Sequence, residues 1–376
     1  MPAKSESRLP TNRPESLKSF VDGREQYYAY LSSGRIGELK AADRLFAEAA
    51  AGDPRFDLAV FYHALTLAQL RKADAAIEKL QCLVDRDVEF LAEVYLHKAY
   101  AHIKKYRNEH FSQAETALES ALQQAERRRQ KTLTAAIEVY QVFLWAVMGG
   151  NLKEPREAEK STYIAKAIRL GENILWELRL QSRRSGSTKR EAEPLLHELL
   201  NALGIAYMRK GEQQGEKFSE AQKRDWQQAK DFFREALELE LNPVRVLQNM
   251  GTLLSIQGHQ LREAGQWGAA ETDYREAVKY YEESTAINPH DQFPHSSLAE
   301  LFIRLGDWER ALHHVNVGRL QPGSFDKERK KRWDHLRLVI AKENPALLDS
   351  RPDARPSDAA ASESDPAERR RPREAE

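Results

Sequence analysis

The 376-residue sequence has only one cysteine, Cys82, and almost no strand-like alternation of Val, Ile and Thr. A single cysteine excludes an internal disulfide and any zinc site built from several thiolates. Free cysteine is usually a core residue, so we expect Cys82 to be buried. Glycine-rich phosphate loops, GxSxG and HExxH are also missing, which argues against the enzymes that carry those motifs.

Net charge and long apolar runs are missing as well. Lys plus Arg and Asp plus Glu number 58 each, so no global field favours nucleic acid or an anionic membrane. The longest apolar stretch, 134–150, carries Glu138 and Gln141 and is too short to span a bilayer, which predicts a buried helix. No apolar region follows the polar, proline-containing first residues, so we expect no secretory signal and a cytoplasmic location.

Helix-forming residues dominate, and they repeat a pattern. Residues 274–289, YREAVKYYEESTAINP, place small or aromatic side chains on one helical stripe and end at a proline that stops the helix. Similar steps of four and three residues recur along the chain, at Ala42, Phe46, Ala49 and Pro54, at Ala229, Phe233 and Ala236, at Ala277, Tyr281 and Pro289, and from Ala311.

A second signature precedes several of these stripes, in which a small residue is followed three positions later by a bulky one. The pairs are Gly204 with Tyr207, Gly251 with Leu254, and Ala299 with Phe302. Two antiparallel helices approach closely only where one offers a small side chain and the other a large one. The pattern therefore predicts helical hairpins, with first helices expected to end at Gly211, Gly258 and Gly306.

On these residues the chain resembles the tetratricopeptide repeat (TPR) family, whose unit pairs a Leu-Gly and an aromatic with Ala, aromatic, Ala and Pro at fixed spacings. The match is best over 193–322, good over 39–54, looser over 56–128 and degenerate over 130–180, and the family's first-helix Trp is missing. The resemblance implies an all-α, right-handed α-solenoid of about seven TPR-like hairpins with a C-terminal capping helix. It also implies a non-catalytic scaffold or adaptor for protein binding, with no cofactor and no metal.

Composition and spacing divide the chain into expected segments. These are a disordered N-terminus over 1–15, an N-terminal array over 16–180, a linker or loop over 181–192, a C-terminal array over 193–322, a capping helix over 323–344 and a disordered tail over 345–376. Two repeats of 46 or 47 residues exceed the family's 34. The additions, at 212–225 and 259–272, predict extended hairpins in which Phe218 and Trp267 are buried, or a raised wall beside the groove.

The resemblance further implies a concave groove lined by the first helices. Mapping the family's positions gives these candidate groove residues: Asn201, Met208, Arg245, Asn249, Thr252, Ser296, Glu300 and Arg304. Only Asn249 matches the family's clamp for a terminal carboxylate, and Phe293 and Ser297 stand where its basic residues belong. We therefore expect an internal peptide or helix of a protein partner rather than a free acidic terminus.

Two other functions stay open from the sequence. A peptide-sensing regulator would bind its peptide inside the array and change the pitch of the helices. An RNA-binding solenoid would use basic clusters such as 127–129 and 330–332, but these are scattered and flanked by acidic residues. We therefore expect neither nucleic acid nor a membrane as a partner.

Overall fold

The computed structural model describes residues 11–105, 108–153, 155–184, 186–214, 219–320, 327–345 and 347. Within these residues it contains fifteen α-helices, one short 3-10 turn at Glu157–Glu159 and no strand, which confirms the all-α prediction. The helices are α1 (Pro14–Ser33), α2 (Ile36–Gly52), α3 (Asp57–Gln69), α4 (Ala73–Asp85), α5 (Leu91–Ile103), α6 (Asn108–Arg127), α7 (Lys131–Asn151), α8 (Lys160–Ser182), α9 (Ser187–Glu212), α10 (Glu220–Glu238), α11 (Val244–Glu263), α12 (Trp267–Ile287), α13 (Gln292–Leu305), α14 (Trp308–Leu320) and α15 (Lys327–Glu343).

Local sequence signals set the helix ends. Helix α1 stops at Gly34, which has φ +75° and donates its N–H to Tyr30 O over 2.8 Å, a left-handed cap that glycine adopts without strain. Helix α12 ends two residues before Pro289, as the Asn-Pro pair predicts. The Asp307 carboxylate accepts the Arg310 N–H at 3.1 Å and caps α14.

The chain forms two compact units, residues 1–298 and 299–376, with the division inside α13. In the first unit, consecutive helices pack as the hairpins of an α-solenoid from α1–α2 to α11–α12. In the second unit the end of α13 packs on α14 through the Phe302 and His314 rings, and α15 packs on α14 through Trp333 and Gly318. The seven hairpins and the capping helix of the sequence prediction are therefore present.

Close packing inside the hairpins depends on glycines that face aromatic rings. A Cβ added at any of these glycines would collide with the ring opposite, so the helices could not stay at their present separation. The pairs are Gly204 with Phe233, Gly211 with Trp226, Gly251 with Tyr281 at 2.9 Å, and Gly258 with Tyr274 at 2.7 Å.

Each of the two long hairpins has a second glycine–aromatic contact, seven residues along each helix from the first. Gly211 lies seven residues after Gly204, and Trp226 lies seven before Phe233. Because seven residues make about two helical turns, each extension places a second small–aromatic pair on the same stripe. Gly211 and Gly258 were expected to end their helices; this is wrong for Gly258, which lies inside α11, and Gly211 belongs to the last turn of α9.

The alanine and aromatic repeat positions are buried, whereas Pro54 and Pro289 are exposed at helix ends and Tyr207 is half-buried against Phe232. The buried positions are Ala42, Phe46, Ala49, Ala229, Phe233, Ala236, Ala277, Tyr281, Ala299, Phe302 and Ala311.

Two burial expectations are wrong. Cys82 is exposed, because the buried stripe of α4 runs through Ala73, Ala76, Leu80 and Leu83 and Cys82 lies beside that stripe. Trp267 at the start of α12 is 62% exposed, with the Arg262 guanidinium 5.3 Å from its ring centroid. Phe218, its expected partner, lies outside the described residues.

The expected segment boundaries also differ from the structure. The loop predicted over 181–192 is shorter, since α8 continues to Ser182 and α9 begins at Ser187, where a run of strong helix formers follows. Residues 1–10, expected to be disordered, and almost all of the expected tail lie outside the described residues. Pro322 and Phe325 lie outside them as well.

The apolar segment around Phe143 forms α7. By length and composition alone this helix could cross a membrane, and half of its apolar window is buried inside the structure. It packs against α8 and α9, as the sequence predicted for a buried helix.

The small–aromatic contact predicts opposite effects for one substitution at two glycines. Gly204→Ala forces a methyl group against the Phe233 ring and should lower the free energy of unfolding by about 1–3 kcal/mol. Gly268→Ala, where nothing lies within 4 Å, should leave stability unchanged or raise it by up to about 1 kcal/mol. Thermal melting followed by circular dichroism would measure both, and equal melting temperatures would contradict the packing argument.

Candidate functional site

The first helices of five hairpins bring polar side chains together on the inner face of the first unit. We call these residues the tyrosine cluster: Tyr30 of α1, Tyr100 of α5, Tyr140 of α7, Glu198 of α9 and Arg245 of α11. The Tyr100 and Tyr140 rings meet edge to face with centroids 5.6 Å apart. The charges of Arg245 and Glu198 act on all three tyrosine hydroxyls, so helices far apart in sequence converge here.

An ion pair occupies the centre of the cluster. Arg245 Nη2 contacts Glu198 Oε1, and the Phe143 ring centroid lies 5.8 Å from the guanidinium. Water still reaches 30% of the Arg245 side chain and 27% of the Glu198 side chain. The ion pair is therefore enclosed by protein on most sides but partly open to solvent.

Two buried nitrogens beside the ion pair have no hydrogen-bond partner within the described part of the chain. They are Arg245 Nη1 and His197 Nε2. Buried polar atoms without partners are rare in native proteins, because leaving one unsatisfied costs about 1–3 kcal/mol. A bound water or a ligand oxygen at this position would remove that cost.

Burial moves the pKa values of the cluster away from neutrality. It raises the pKa of Tyr30 and Tyr100 to about 12, although the Arg245 charge opposes the shift. Burial is also the largest single influence on Glu198 and raises its pKa, but the charges of Arg245, His197 and Lys104 and the hydrogen bond from Arg245 together leave this pKa below its usual value. At neutral pH the hydroxyls therefore stay protonated and the carboxylate stays ionised.

Four of the five predicted groove residues on α9 and α11 lie near one another: Asn201, Arg245, Asn249 and Thr252. Asn249 Nδ2 donates to Asn201 Oδ1 over 2.7 Å, beside the Arg245 ion pair. Thr252 Oγ1 lies 2.9 Å from Tyr281 Oη. Asn201 is only 1% exposed, so it supports Asn249 rather than facing solvent.

The other four predicted groove residues do not join this set. Met208 and Ser296 are buried at 1% and 4% exposure, so neither is accessible to a partner in this structure, and their role in binding stays a prediction. Ser296 Oγ donates to Phe293 O of its own helix at 2.9 Å. Glu300 and Arg304 belong to the second unit, where Glu300 accepts a hydrogen bond from Arg332 at 2.7 Å.

Sequence reasoning missed the tyrosines and Glu198. Glu198 precedes Arg245 by 47 residues, the spacing that also separates Gly204 from Gly251. The two residues therefore occupy equivalent positions in successive hairpins, and that equivalence could have identified Glu198. No such repeat links Tyr30, Tyr100 and Tyr140, because they lie in hairpins whose spacing is irregular.

An outer groove of about 900 Å³ lies between α4 and α6, with α5 as its floor. Its α4 wall carries Asp74 and Asp85, and Lys98 on the floor donates to Gln81 over 2.5 Å. The polar groups here satisfy one another: Gln81 also donates to Asp85 at 2.7 Å. In the described residues no three or more His, Cys, Asp or Glu side chains are grouped to hold a metal ion.

No protein-family model and no curated protein matches the chain. Three solved structures share its helical repeats. A human IFIT1 dimer with m7Gppp-AAAA is 14% identical, with 89% of this chain and 78% of that chain covered and a TM-score of 0.37. TTC0263, a thermophilic TPR protein from Thermus thermophilus, is 14% identical with 86% and 99% covered and a TM-score of 0.22. Yeast Tom70 is 13% identical with 89% and 92% covered and a TM-score of 0.27.

A half-buried histidine next to the cluster predicts acid sensitivity. His97 lies between the Phe61 and Tyr140 rings, and burial lowers its pKa to about 4, below the ordinary value near 6.5. A neutral His97 therefore contributes stability above about pH 6.5 that is lost as pH falls toward 4. His97→Phe should weaken the fall in melting temperature between pH 7 and pH 5. The exposed His335→Phe is the control, and parallel slopes for wild type and His97→Phe would contradict the prediction.

Proposed function

We propose that the chain is a non-catalytic protein-interaction scaffold that binds an internal peptide segment of a partner at the tyrosine cluster. The observation that carries the proposal is the buried Arg245 Nη1 donor, which has no hydrogen-bond partner among the described residues and lies beside an ion pair that is partly open to solvent. A peptide carbonyl or side-chain oxygen is the acceptor that such a donor lacks. Tyrosine rings beside it supply large, rigid contact area at low entropic cost.

The distribution of charge favours a peptide over RNA. Arg245 is paired with Glu198, Arg71 with Asp291, and Lys104 Nζ lies 4.8 Å from the Tyr100 ring centroid. A nucleic-acid site needs unpaired cations along the path of the phosphates. Polar hydroxyl and amide groups around a neutralised ion pair suit a peptide backbone instead.

The direction of the pKa shifts favours binding over catalysis. General acids and bases work best with a pKa near the operating pH. At this site burial moves the pKa values of Tyr30 and Tyr100 upward and that of His97 downward, so none of the three is poised to exchange a proton at neutral pH. The groups are suited to hold fixed hydrogen bonds.

The test uses Arg245→Lys, which keeps a positive charge for Glu198 but removes the planar guanidinium with its second donor edge. Peptides would be selected from a displayed library of random sequences against the full chain, and their affinities measured by calorimetry. Loss of a hydrogen bond from a charged donor should weaken binding by about tenfold or more. A short oligoadenylate strand serves as the nucleic-acid probe and should not bind.

Arg275→Lys is the matched control, because Arg275 lies on the exposed face of α12 and pairs with Glu271 of the same helix. It should bind the selected peptides like wild type. A second variant, Tyr140→Phe, removes only one hydroxyl from the cluster, and Tyr95→Phe in the outer groove is its control. Equal peptide affinity for wild type, Arg245→Lys and Tyr140→Phe would place the binding site elsewhere and refute the proposal.

A further inference from the structure

The first two hairpins touch the loops on either side of the sixth hairpin at two places, although more than half of the chain separates the partners of each contact. Asn242 N, in the loop before α11, donates to Leu31 O at the end of α1 over 3.3 Å. Arg71 Nη2, in the turn after α3, donates to Asp291 Oδ1 over 3.1 Å, across 220 residues of sequence. These two contacts close the first unit into a turn around the tyrosine cluster.

The first contact is a close fit of backbone against backbone. A Cβ at Gly34 would lie 2.5 Å from Asn242 Oδ1 and 2.9 Å from Val244 Cγ2, so only glycine allows this approach. Asn242 Oδ1 also accepts the Val244 N–H at 3.2 Å, which holds the loop in shape. The Asn242 side chain hydrogen-bonds Tyr30 as well, and this links the contact directly to the cluster.

The second contact centres on Asp291. Its Oδ1 accepts from Arg71 and from Phe293 N at 3.1 Å, and its Oδ2 accepts from Gln248 at 2.8 Å. Asp291 is thus held by its own hairpin region, while Arg71 is 52% exposed. An ion pair with one partner this exposed contributes about 0–1 kcal/mol.

The strengths of the contacts differ by position. The two helices of a hairpin are held together by buried glycine–aromatic packing, for example Gly251 on Tyr281. The ends of the turn meet through a few hydrogen bonds, one of them from the half-exposed Arg71 side chain. Regions held by few apolar contacts open first, at a small fraction of the global unfolding free energy. The junction at Leu31–Asn242 and Arg71–Asp291 is therefore where this unit can open without melting a hairpin.

We propose that these two contacts form a clasp, and that its opening admits the partner segment to the tyrosine cluster. The clasp holds Tyr30 close to Arg245 when shut and separates α1 from α11 when open. The identity of the bound segment rests on the proposed function, whereas the opening of the clasp can be measured on this chain alone. Binding then acts by shifting an existing equilibrium between closed and open turns.

The test places a reporter thiol on the inner face and measures its access. Cys82→Ser removes the natural thiol and Asn249→Cys supplies the reporter beside Asn201. The rate of reaction with an aromatic disulfide reagent is then compared with and without Arg71→Ala and Asn242→Ala. Asn242→Ala keeps the backbone N–H but removes the side-chain hydrogen bonds to Val244 N and Tyr30 that hold the loop in place, and Arg71→Ala removes the exposed ion pair. Together they should raise the labelling rate by about tenfold. Arg275→Ala, which breaks an ion pair within one helix, is the control and should leave the rate unchanged.

A second measurement keeps the clasp testable if the variant is less stable. Spin labels at Glu48→Cys on α2 and Arg224→Cys on α10, both exposed, report the separation of the first and fifth hairpins. The clasp variant should show a longer or broader distance distribution than its parent while its far-ultraviolet circular dichroism stays the same. An unchanged distribution together with an unchanged labelling rate would overturn the clasp.

Failure of the clasp and failure of the proposed function give different results. Without any selected peptide, faster labelling and longer distances would still establish the clasp. The other result is a selected peptide that needs Arg245 for its affinity yet associates with wild type and the clasp variant at equal rates. That result would support the binding site and refute the gating role of the clasp.

Discussion

A glycine that faces an aromatic ring is the contact on which the rest of this structure depends. Gly204 against Phe233 and Gly251 against Tyr281 fix how closely the two helices of a hairpin approach, because dense interiors leave no room for an added carbon. The same contact at Gly211 and Gly258 keeps the two helices equally close for about two more helical turns. Rigid hairpins of constant spacing then make it possible for side chains on separate first helices to meet with a defined geometry.

The tyrosine cluster depends on this helix spacing, but its chemical composition differs from that of the hairpin interfaces. The hairpin interfaces are apolar, whereas the cluster combines rings with an ion pair that is partly open to solvent. A partly exposed pair such as Glu198 and Arg245 contributes little net stability, because desolvation and solvent screening offset much of the attraction. Its retention at the point where α9 and α11 meet the tyrosines of α1, α5 and α7 fits a recognition surface better than a device for stability.

Strong and weak contacts also lie at different places in the first unit. Local helix pairs carry the apolar burial, and distant ends meet through Asn242 and Asp291 by hydrogen bonds. In the proposed mechanism the hairpins stay folded while the two ends of the turn separate. Recognition would then depend on Arg245 and access on the clasp.

Local spacing by itself determined the hairpins, since small and bulky residues four and three positions apart must share one helical stripe, and the buried Ala277, Tyr281 and Ser284 show this directly. It could not determine burial beside a stripe, which is why Cys82 and Trp267 are exposed. Four predicted groove residues lie together on α9 and α11, yet Glu198 and the tyrosines were missed. Only the tertiary structure decided that Tyr30 meets Arg245, because the closing of a turn depends on many small angles between hairpins, and no local pattern encodes their sum.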